Sequence, residues 1–294
     1  MDLVINPASY DNAIELIKLG VPYIYVGIDH YSICANCILN LSQLHALAKI
    51  KKNTKILVSL NRFFFEPEIK QLEILLQNIK SMPVDGIIFG DFAIVQIAKE
   101  INFQTKLIYR PYTLVTNYGQ FAFYQQNQIN CAILANELNA KEVMTIAQNK
   151  GQMQIGLQVA GHALTMYSRW HLISNFTQTQ KQPLDLTNRK LFLKEPSRQQ
   201  PSVIYEDEHG TYILTNYDLL LIDEITELKA NGVDFIIVDS FLHDANWTNY
   251  LAISFLNKIN NEVFTLDTSK FPNPISKGFY KGGRKNLFYL PSTD

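Results

Sequence analysis

Polar side chains follow almost every predicted strand of this 294-residue chain, at the point where the strand ends. Carboxylates, amides, arginines and a histidine are among them, and such a set can bind a small molecule and move protons. If the strands are parallel and close into a barrel, their C-terminal ends share one mouth and these side chains converge there. Asp91 and nearby Asn139 stand directly before predicted helices and equally suit helix capping. The strand-end set is Asp29, Asn61, Arg62, Asp91, Arg110, Thr113, Glu137, His162, Asp239 and Ser240.

The segment GHALTMYSRWH, residues 161–171, places two histidines and an arginine just beyond the predicted seventh strand. An imidazole titrates near neutral pH, and a guanidinium can hold a carboxylate or phosphate with two parallel hydrogen bonds. The alternative is that this segment lines the core. We predict catalytic roles for Glu137, His162 and Arg169. We predict substrate-binding roles for Asp29, Asn61, Arg110, Thr113, Asn117, His171 and Asp239.

The spacing Cys34-Ala-Asn-Cys37 is that of a metal knuckle or a redox motif. A closed zinc site needs two more ligands at matched spacing, and Cys131 alone does not supply them. We therefore expect buried, chemically quiet cysteines and no metal site. The short signatures GxSxG, HExxH, GxxxxGK[ST] and GxGxxG are also absent from the sequence, which argues against a serine hydrolase, a zincin, a P-loop enzyme and a dinucleotide binder.

Eight short runs rich in β-branched and aromatic residues alternate with helical patterns along the chain. This rhythm predicts a (β/α)8 TIM-type barrel, with a doubly wound open sheet as the alternative. The predicted strands are 3–6, 23–27, 55–60, 86–89, 106–109, 131–134, 154–159 and 234–238. The helices expected after them include 10–19, 42–49, 67–82, 92–101, 140–149, 219–230 and 247–259, with another starting near residue 117.

Two regions interrupt that rhythm. A long insertion follows the seventh strand at about residues 160–218, and its end predicts a β-hairpin turning at Glu208 to Gly210. Insertions at this face of a barrel commonly cover or build the active site.

We assign residues 1–263 to the barrel and residues 264–294 to an extended C-terminal tail. The tail carries basic residues between aromatic ones, so it could bind RNA through Lys277, Lys281, Arg284 and Lys285.

Composition narrows the class of protein. Hydrophobic residues make up 47% of the chain and charged residues 18%, a balance that supports a large buried core rather than disorder. The formal net charge of -1 argues against a stand-alone nucleic-acid binder, although a local basic patch is compatible with it. An odd number of cysteines, no signal-peptide pattern and no apolar run of about 18 residues lead us to expect a cytoplasmic protein without a membrane segment.

Several segments, in this order and spacing, resemble peptidase family U32, the collagenase-like peptidases. They are NPASYDNAIELIKLGVPYIYVGIDHYS at the start, then KILVSLNRF, DGIIFGDFAIVQIAKE, TLVTNYGQ and LANELN, and finally EDEHGTYILTNYDLLLIDEITELKANGVDFIIVD. Many family members hold an iron–sulfur cluster with cysteines around a His-Gly-Ala-x-Cys segment. Here Thr165 stands near one of those cysteine positions and His171 near the next, so the resemblance implies no iron–sulfur cluster.

The chain is similar to the short, cysteine-poor members of that family. This resemblance implies a role in hydroxylating the wobble uridine of tRNA to 5-hydroxyuridine, with a longer U32 paralogue as partner and prephenate as co-substrate. By charge alone, Arg110 and Arg169 are the candidates for binding such a small carboxylate ligand. Two alternatives stay open: a collagenase-like peptidase, for which the sequence shows no nucleophile–base pair, and a non-catalytic subunit that stabilises the longer member.

Overall fold

Eight parallel strands form a closed barrel in the computed structural model, which describes residues 1–181, 184–186, 191–194 and 201–282. The first strand pairs with the second on one side and with the eighth on the other, and the eighth also pairs with the seventh. This closure excludes the open sheet and confirms the predicted (β/α)8 barrel. The barrel strands, in chain order, are Asp2–Ile5, Tyr23–Ile28, Lys55–Leu60, Gly86–Phe89, Lys106–Tyr109, Ile129–Ile133, Gln154–Gly161 and Phe235–Val238.

Helices cover the outside of the barrel and bury their apolar faces against it. Leu16, Leu44 and Leu72 are fully buried in one continuous cluster with outward-facing strand residues such as Ile24 and Ile56. Burial of this kind contributes about 1.5–3 kcal/mol for each large aliphatic side chain. The barrel helices are Tyr10–Lys18, Leu41–Ile50, Ile69–Lys80, Ala93–Glu100, Phe121–Gln126, Ala140–Gln148, Ile225–Ala230 and Ala245–Ile259.

The interior of the barrel is a packed core. The side chains that point into the barrel, from every second position along the strands, form a second buried cluster. It includes Val4, Tyr25, Leu57, Ile108 and Cys131. Because this interior is filled, small-molecule chemistry is confined to the loops at the C-terminal ends of the strands.

Most predicted elements are present, and the differences have local causes. The sequence predicts one helix over residues 219–230, but Asp218–Leu220 is a strand and the helix is Ile225–Ala230. The strand forms because Leu219 and Leu220 pair antiparallel with the end of the seventh barrel strand. Before two helices, the chain first makes a 3-10 turn, at Glu66–Glu68 and at Tyr118–Gln120.

The described residues of the insertion form a four-stranded antiparallel sheet and the helix Leu172–Gln180. Its hairpin joins Ser202–Asp207 to Gly210–Leu214, which confirms the predicted turn. Leu191–Leu193 and Leu164–Ser168 lie at the two edges. We call these four strands the insertion sheet.

The described part of the C-terminal tail is not a continuous extended run. It contains a 3-10 helix, Thr268–Lys270, a short strand, Ile275–Ser276, and a four-residue helix, Gly278–Lys281. The strand adds to Asp218–Leu220, and the buried Tyr280 belongs to the outer core. Arg284 and Lys285 lie outside the described residues. Among the residues that are described, no helix is long and apolar enough to cross a membrane.

Candidate functional site

The insertion sheet lies over the mouth of the barrel. Its inner face places Val203, Tyr205, Tyr212 and Leu214 in one buried cluster with Phe241 and other residues from the barrel loops. The rings of Tyr205 and Tyr212 stack at 4.6 Å between centroids, with planes 13° apart. The sheet therefore covers the strand ends and shields their polar side chains from solvent.

Beneath this cover, Arg110 is the central charged group, with only 2% of its surface exposed. Its Nη2 atom donates to Asp239 Oδ2 at 2.9 Å and to Gln158 Oε1 at 3.2 Å, and its Nη1 atom donates to the Tyr25 hydroxyl at 3.1 Å. The pKa of Arg110 is raised: burial favours the neutral form, but Tyr25, Tyr112 and Asp239 together outweigh that effect. The guanidinium and the Asp239 carboxylate thus form a buried, hydrogen-bonded ion pair.

Two further mouth residues complete this arrangement. The guanidinium of Arg110 lies 4.8 Å from the ring centre of Tyr112, whose hydroxyl accepts a hydrogen bond from Asn61 Nδ2 at 2.7 Å. Asn61 also exchanges hydrogen bonds with the backbone of Ile33, at 2.9 and 3.1 Å. Burial raises the pKa of Tyr112, so its hydroxyl stays protonated. We call Tyr25, Asn61, Arg110, Tyr112, Gln158 and Asp239 the mouth cluster.

A second buried polar group lies beside the mouth cluster and is joined to it through Gln158, whose Nε2 donates to the carbonyl of His162 at 2.8 Å. Here His243 Nε2 lies 2.8 Å from Asp218 Oδ1, and His162 Nε2 lies 3.8 Å from the same oxygen. Asn273 Nδ2 is 3.2 Å from His162 Nε2 and 3.3 Å from Asp218 Oδ2. We call His162, Asp218, His243 and Asn273 the histidine cluster.

The position of His162 follows from the backbone before it. Gly161 has φ of +93°, and a side chain there would overlap the carbonyl of Asp239. Because glycine has no side chain, Gly161 allows the end of the seventh strand to turn sharply against the eighth. This turn directs the His162 imidazole inward. The ring Nδ1 lies 2.9 Å from the carbonyl of Thr215, so it carries the proton and leaves the lone pair on Nε2. Burial lowers the pKa of His162, which keeps this imidazole neutral near pH 7.

Arg169 and His171 follow the edge strand Leu164–Ser168 of the insertion sheet and are exposed. The guanidinium of Arg169 sits 3.6 Å from the ring centre of Phe65. Trp170 between them is 71% exposed. Its backbone is fixed, because the Thr211 hydroxyl donates to its carbonyl at 2.8 Å and accepts from Leu172 N at 2.9 Å. We call residues 169–171 the rim segment.

The remaining predicted residues are spread over separate places. Glu137 is exposed and lines a cleft of about 480 Å³ between the insertion sheet and the tail. Asp29 is exposed and lines a smaller cleft of about 220 Å³. Thr113 is half-buried and Asn117 exposed in the loop after the fifth strand. The structure therefore brings Asn61, Arg110 and Asp239 together, with His162 beside them through Gln158, and it separates them from the other predicted residues. The roles of all these residues stay predictions.

Asp91 and Asn139, for which helix capping was the alternative to a functional role, both accept backbone hydrogen bonds at the start of a helix. Asp91 Oδ1 accepts from Ala93 N at 2.9 Å at the start of a helix, and Asn139 forms a capping box with Glu142. Such caps contribute about 1 kcal/mol each.

The three cysteines are buried free thiols. Cys34 belongs to the cluster under the insertion sheet and Cys37 to the outer core, so each packs with different neighbours. Burial raises the pKa of Cys34 and of Cys37 to about 12, which disfavours the thiolate that metal or cluster ligation needs. The absence of an iron–sulfur cluster stays a prediction.

Sequence reasoning missed several members of the two clusters. His243 comes four residues after Asp239, so a wider window at the end of the eighth strand would have included it. Gln158 sits inside a strand, where a local pattern predicts core. Asp218 and Asn273 carry no local signal, because both are positioned by strands that pair far along the chain. The residues missed are Tyr25, Tyr112, Gln158, Asp218, His243 and Asn273.

A closed barrel with its mouth covered by an insertion, and with buried charges beneath that cover, defines a TIM-barrel protein with an enclosed polar centre. The pattern of peptidase family U32 matches residues 8–277. The chain therefore belongs to peptidase family U32, as its segments indicated.

Relatives that are similar in sequence include proteins named for tRNA hydroxylation and a protein named as a protease. The chain is 28% identical over 247 residues to tRNA hydroxylation protein P2 of Bacillus subtilis, covering 82% of this chain and 80% of that protein. It is 22% identical to the uncharacterized protease MJ0090 of Methanocaldococcus jannaschii, covering 95% of this chain and 74% of the relative. It is also 22% identical to tRNA hydroxylation protein P of Escherichia coli, covering 75% of this chain and 59% of that one.

Among solved structures, the U32 peptidase Mk0906 is similar, with a TM-score of 0.51 and 11% sequence identity. The match covers 81% of this chain and 92% of that one. At this identity the likeness supports the barrel fold alone.

Proposed function

We propose that this chain supports hydroxylation of the wobble uridine of tRNA to 5-hydroxyuridine, together with a longer U32 paralogue. The observation that carries the proposal is the near full-length similarity to tRNA hydroxylation protein P2, which extends over 82% of this chain. The match to tRNA hydroxylation protein P of Escherichia coli points the same way. Family membership alone would leave a peptidase equally plausible.

The imidazoles of the chain give the peptidase alternative little support. Their side-chain hydrogen bonds run to carboxylates, to an amide and to a backbone carbonyl in the described ranges 1–181, 184–186, 191–194 and 201–282. None of them runs there to a serine or threonine hydroxyl or to a thiol. A serine or cysteine protease needs such a nucleophile within hydrogen-bond reach of its base.

We place the reacting uridine in the cleft that Glu137 lines. Its volume of about 480 Å³ suits a flipped nucleotide. The walls combine apolar side chains such as Met166 with the polar side chains of Thr165 and Asn136. The Thr165 hydroxyl donates to the Ile213 carbonyl and the Asn136 amide donates to Gln158, so their oxygens can accept from the N3–H of uracil. Glu137 would act as the acid or base there.

The rim segment is the surface we assign to tRNA contact. Arg169 supplies a positive charge, and the exposed ring of Trp170 offers a face on which an unpaired base can stack.

The tail lysines are the second candidate surface for tRNA contact. Lys277 pairs with Asp223 and Glu224 at 2.9 and 2.6 Å. Lys281 lies farther from Glu224, at 3.5 Å, and its side chain is 59% exposed, so Lys281 is the better placed of the two.

Prephenate stays the proposed co-substrate on the family resemblance. Of the two arginines predicted to bind a small carboxylate, Arg169 is accessible from solution, whereas Arg110 already holds Asp239. A carboxylate could reach Arg110 only by displacing that partner. We therefore assign carboxylate binding to Arg169.

Nucleoside mass spectrometry of total tRNA from a strain lacking this gene tests the proposal. We expect loss of 5-hydroxyuridine and of the nucleosides derived from it, measured in a background that also lacks parallel oxygen-dependent hydroxylases. Unchanged levels in that background would overturn the proposal, and casein or gelatin digestion by the purified protein would then support the peptidase.

A matched pair of variants separates catalysis from support of the paralogue. Glu137→Gln should abolish the modification while the paralogue still co-purifies, and Glu142→Gln on a neighbouring helix should preserve both. Full modification with Glu137→Gln and also with Arg169→Ala, while the paralogue co-purifies, would favour a non-catalytic stabilising subunit.

A further inference from the structure

The histidine cluster contains a buried carboxylate without a fixed positive partner. Asp218 is fully buried, and the groups facing it are His162, His243 and Asn273. No lysine or arginine pairs with Asp218 among the residues that the structure describes. A buried carboxylate without a compensating cation is costly, which distinguishes Asp218 from Asp239 and its arginine partner.

The donor atoms of this cluster lie close together. One nitrogen from each imidazole and one carboxylate oxygen lie within 4.8 Å of each other, and all three residues are buried. In a tetrahedral site with metal–ligand bonds of about 2.0–2.2 Å, neighbouring ligand atoms are about 3.3 Å apart. The observed 2.8 and 3.8 Å separations from Asp218 Oδ1 bracket that value. The rings of His162 and His243 stack with planes 15° apart, so an imidazole must turn for both lone pairs to meet one ion.

The protonation of His162 suits a metal ion, and that of His243 must change to accommodate one. Thr215 holds the proton of His162 on Nδ1 and leaves the Nε2 lone pair facing the cluster, an outer contact typical of metal-binding histidines. The Nδ1 atom of His243 has no hydrogen-bond partner in the described part of the chain. The proton that His243 donates from Nε2 to Asp218 can therefore move to Nδ1 without breaking a contact at that atom, which frees Nε2 as a ligand.

A fourth ligand and an entry route are also present. The side-chain amide of Asn273 contacts both His162 and Asp218, and a half-turn of that amide would aim its oxygen into the cluster. A cleft of about 550 Å³, lined by His243, Trp247 and Lys270 among others, opens next to the cluster. The indole of Trp247 stacks on His243 at 3.7 Å and shields it.

We propose that His162, Asp218 and His243 bind a divalent transition-metal ion, with the side-chain oxygen of Asn273 as the fourth ligand. Two imidazoles and a carboxylate suit Zn²⁺, Fe²⁺ or Co²⁺ rather than Mg²⁺ or Ca²⁺, which favour all-oxygen sites. This site reverses the expectation of a metal-free chain that the cysteine spacing produced. It also gives the C-terminal tail a function, since Asn273 belongs to the tail.

Metal content and visible absorption test the site without an activity assay. The full-length chain is stripped with a chelator and titrated with Zn²⁺ and with Co²⁺. We expect one ion per chain by elemental analysis, and Co²⁺ absorption bands typical of tetrahedral nitrogen and oxygen ligation. A strong near-ultraviolet band from thiolate ligation would place the ion on cysteines and overturn the assignment.

Two variants and one matched control complete the test. Asp218→Asn and His243→Ala should each lower Zn²⁺ affinity at least tenfold, as expected for removal of one ligand. His171→Ala, at the exposed rim, should bind like the wild type. Equal binding by all four proteins, or no binding by the wild type, would overturn the proposal.

A fluorescence measurement keeps the proposal testable if a cluster variant does not fold. In Trp170→Phe, Trp247 is the remaining tryptophan, and it contacts His243. Bound Co²⁺ should quench its emission with a one-to-one endpoint that excess Zn²⁺ reverses. Emission that does not respond to Co²⁺ would contradict the site in a protein that is folded.

Discussion

The region beneath the insertion sheet and the exposed rim at its edge differ in the burial of their charged and aromatic side chains. Beneath the sheet, Arg110 and Asp239 form a buried pair at 2.9 Å, surrounded by hydrogen-bonding neighbours. At the outer rim, Arg169 rests on Phe65, and Trp170 exposes 71% of its surface. The buried side therefore holds the fold together, while the rim offers an accessible surface for a macromolecule. Residue types that look interchangeable in the sequence are thus buried and paired in one place and accessible to solvent in the other.

The largest expected effect comes from the buried side. Arg110→Met leaves the Asp239 carboxylate buried without its partner, so we expect the free energy of unfolding to fall by about 3–5 kcal/mol. Urea denaturation measures this change. Lys51→Met is the control: it breaks the more accessible pair between Lys51 and Asp85, with an expected cost of about 0–1 kcal/mol.

Equal destabilisation of these two variants would remove the distinction between the buried pair and an ordinary ion pair. If Arg110→Met yields no folded protein, Arg110→Lys keeps the charge but not the forked guanidinium, and a smaller decrease in stability is expected.

The next effect belongs to the rim. Trp170→Ala should weaken binding of the proposed tRNA by about 1–3 kcal/mol, which is roughly five- to 150-fold in Kd. Its free energy of unfolding should change by less than about 0.5 kcal/mol, because the ring is exposed. Quenching of Trp170 emission in the wild type gives an independent signal, because the other tryptophan, Trp247, is buried.

Phe176→Ala is the matched control for the rim, since this exposed aromatic side chain belongs to the insertion helix and lies outside the rim segment. It should bind tRNA like the wild type. If Trp170→Ala leaves tRNA binding unchanged but abolishes co-purification of the paralogue, the rim is a protein interface instead.

A pH effect of intermediate size distinguishes the histidine cluster from the rim. Burial lowers the pKa of His162 in the folded protein, against the opposing influence of Asp218, so the unfolded chain binds this proton more readily. Stability should therefore fall as the pH drops below the unfolded pKa of about 6.5 and level off below the folded pKa. The total decrease should be about 1.4 kcal/mol for each pH unit that separates the folded from the unfolded pKa.

Urea denaturation between pH 7.5 and 5, with chelator present, measures that effect. The groups facing His162 are Asp218, His243 and Asp239, and they are the same in every protein compared. His162→Gln should flatten the pH dependence, and His171→Gln should leave it unchanged. Identical profiles for wild type and His162→Gln would show that His162 does not set the acid sensitivity.

The smallest expected effect concerns the tail. Lys281→Glu combined with Arg284→Glu should weaken tRNA binding and flatten its salt dependence, by about 0.7–0.9 in the log–log slope for each phosphate that the variant no longer neutralises. Lys277→Ala should change the slope less, because Lys277 is already paired with Asp223 and Glu224. An unchanged slope in the double variant would remove the tail from the RNA-binding surface.

The barrel could be predicted from the sequence because its strands are locally encoded. Runs such as KILVSL and GIIF are short, β-branched and bounded by turn residues, and the strands observed there are Lys55–Leu60 and Gly86–Phe89, as expected. The prediction is wrong at Asp218–Leu220 because the same apolar run also suits the start of a helix. The strand Asp218–Leu220 forms because it pairs with the end of the seventh barrel strand and with Ile275–Ser276. No local sequence pattern reveals these pairings.

The candidate site could be predicted in part for the same reason. The position at a strand end identified Asn61, Arg110, His162 and Asp239, since the barrel dictates where strand ends point. It did not reveal that Arg110 would form an ion pair with Asp239. Nor did it reveal that His162 would contact the carboxylate of Asp218 in the insertion and the amide of Asn273 in the tail. Those contacts join residues up to 129 positions apart, as for Arg110 and Asp239.

The proposed function makes this chain necessary for 5-hydroxyuridine in tRNA. Returning the wild-type gene to a strain that lacks it, and that also lacks oxygen-dependent hydroxylases, tests this directly when tRNA nucleosides are measured by mass spectrometry. We expect no 5-hydroxyuridine without the gene and recovery to the parental level with it. Equal levels of 5-hydroxyuridine with and without the gene would contradict it.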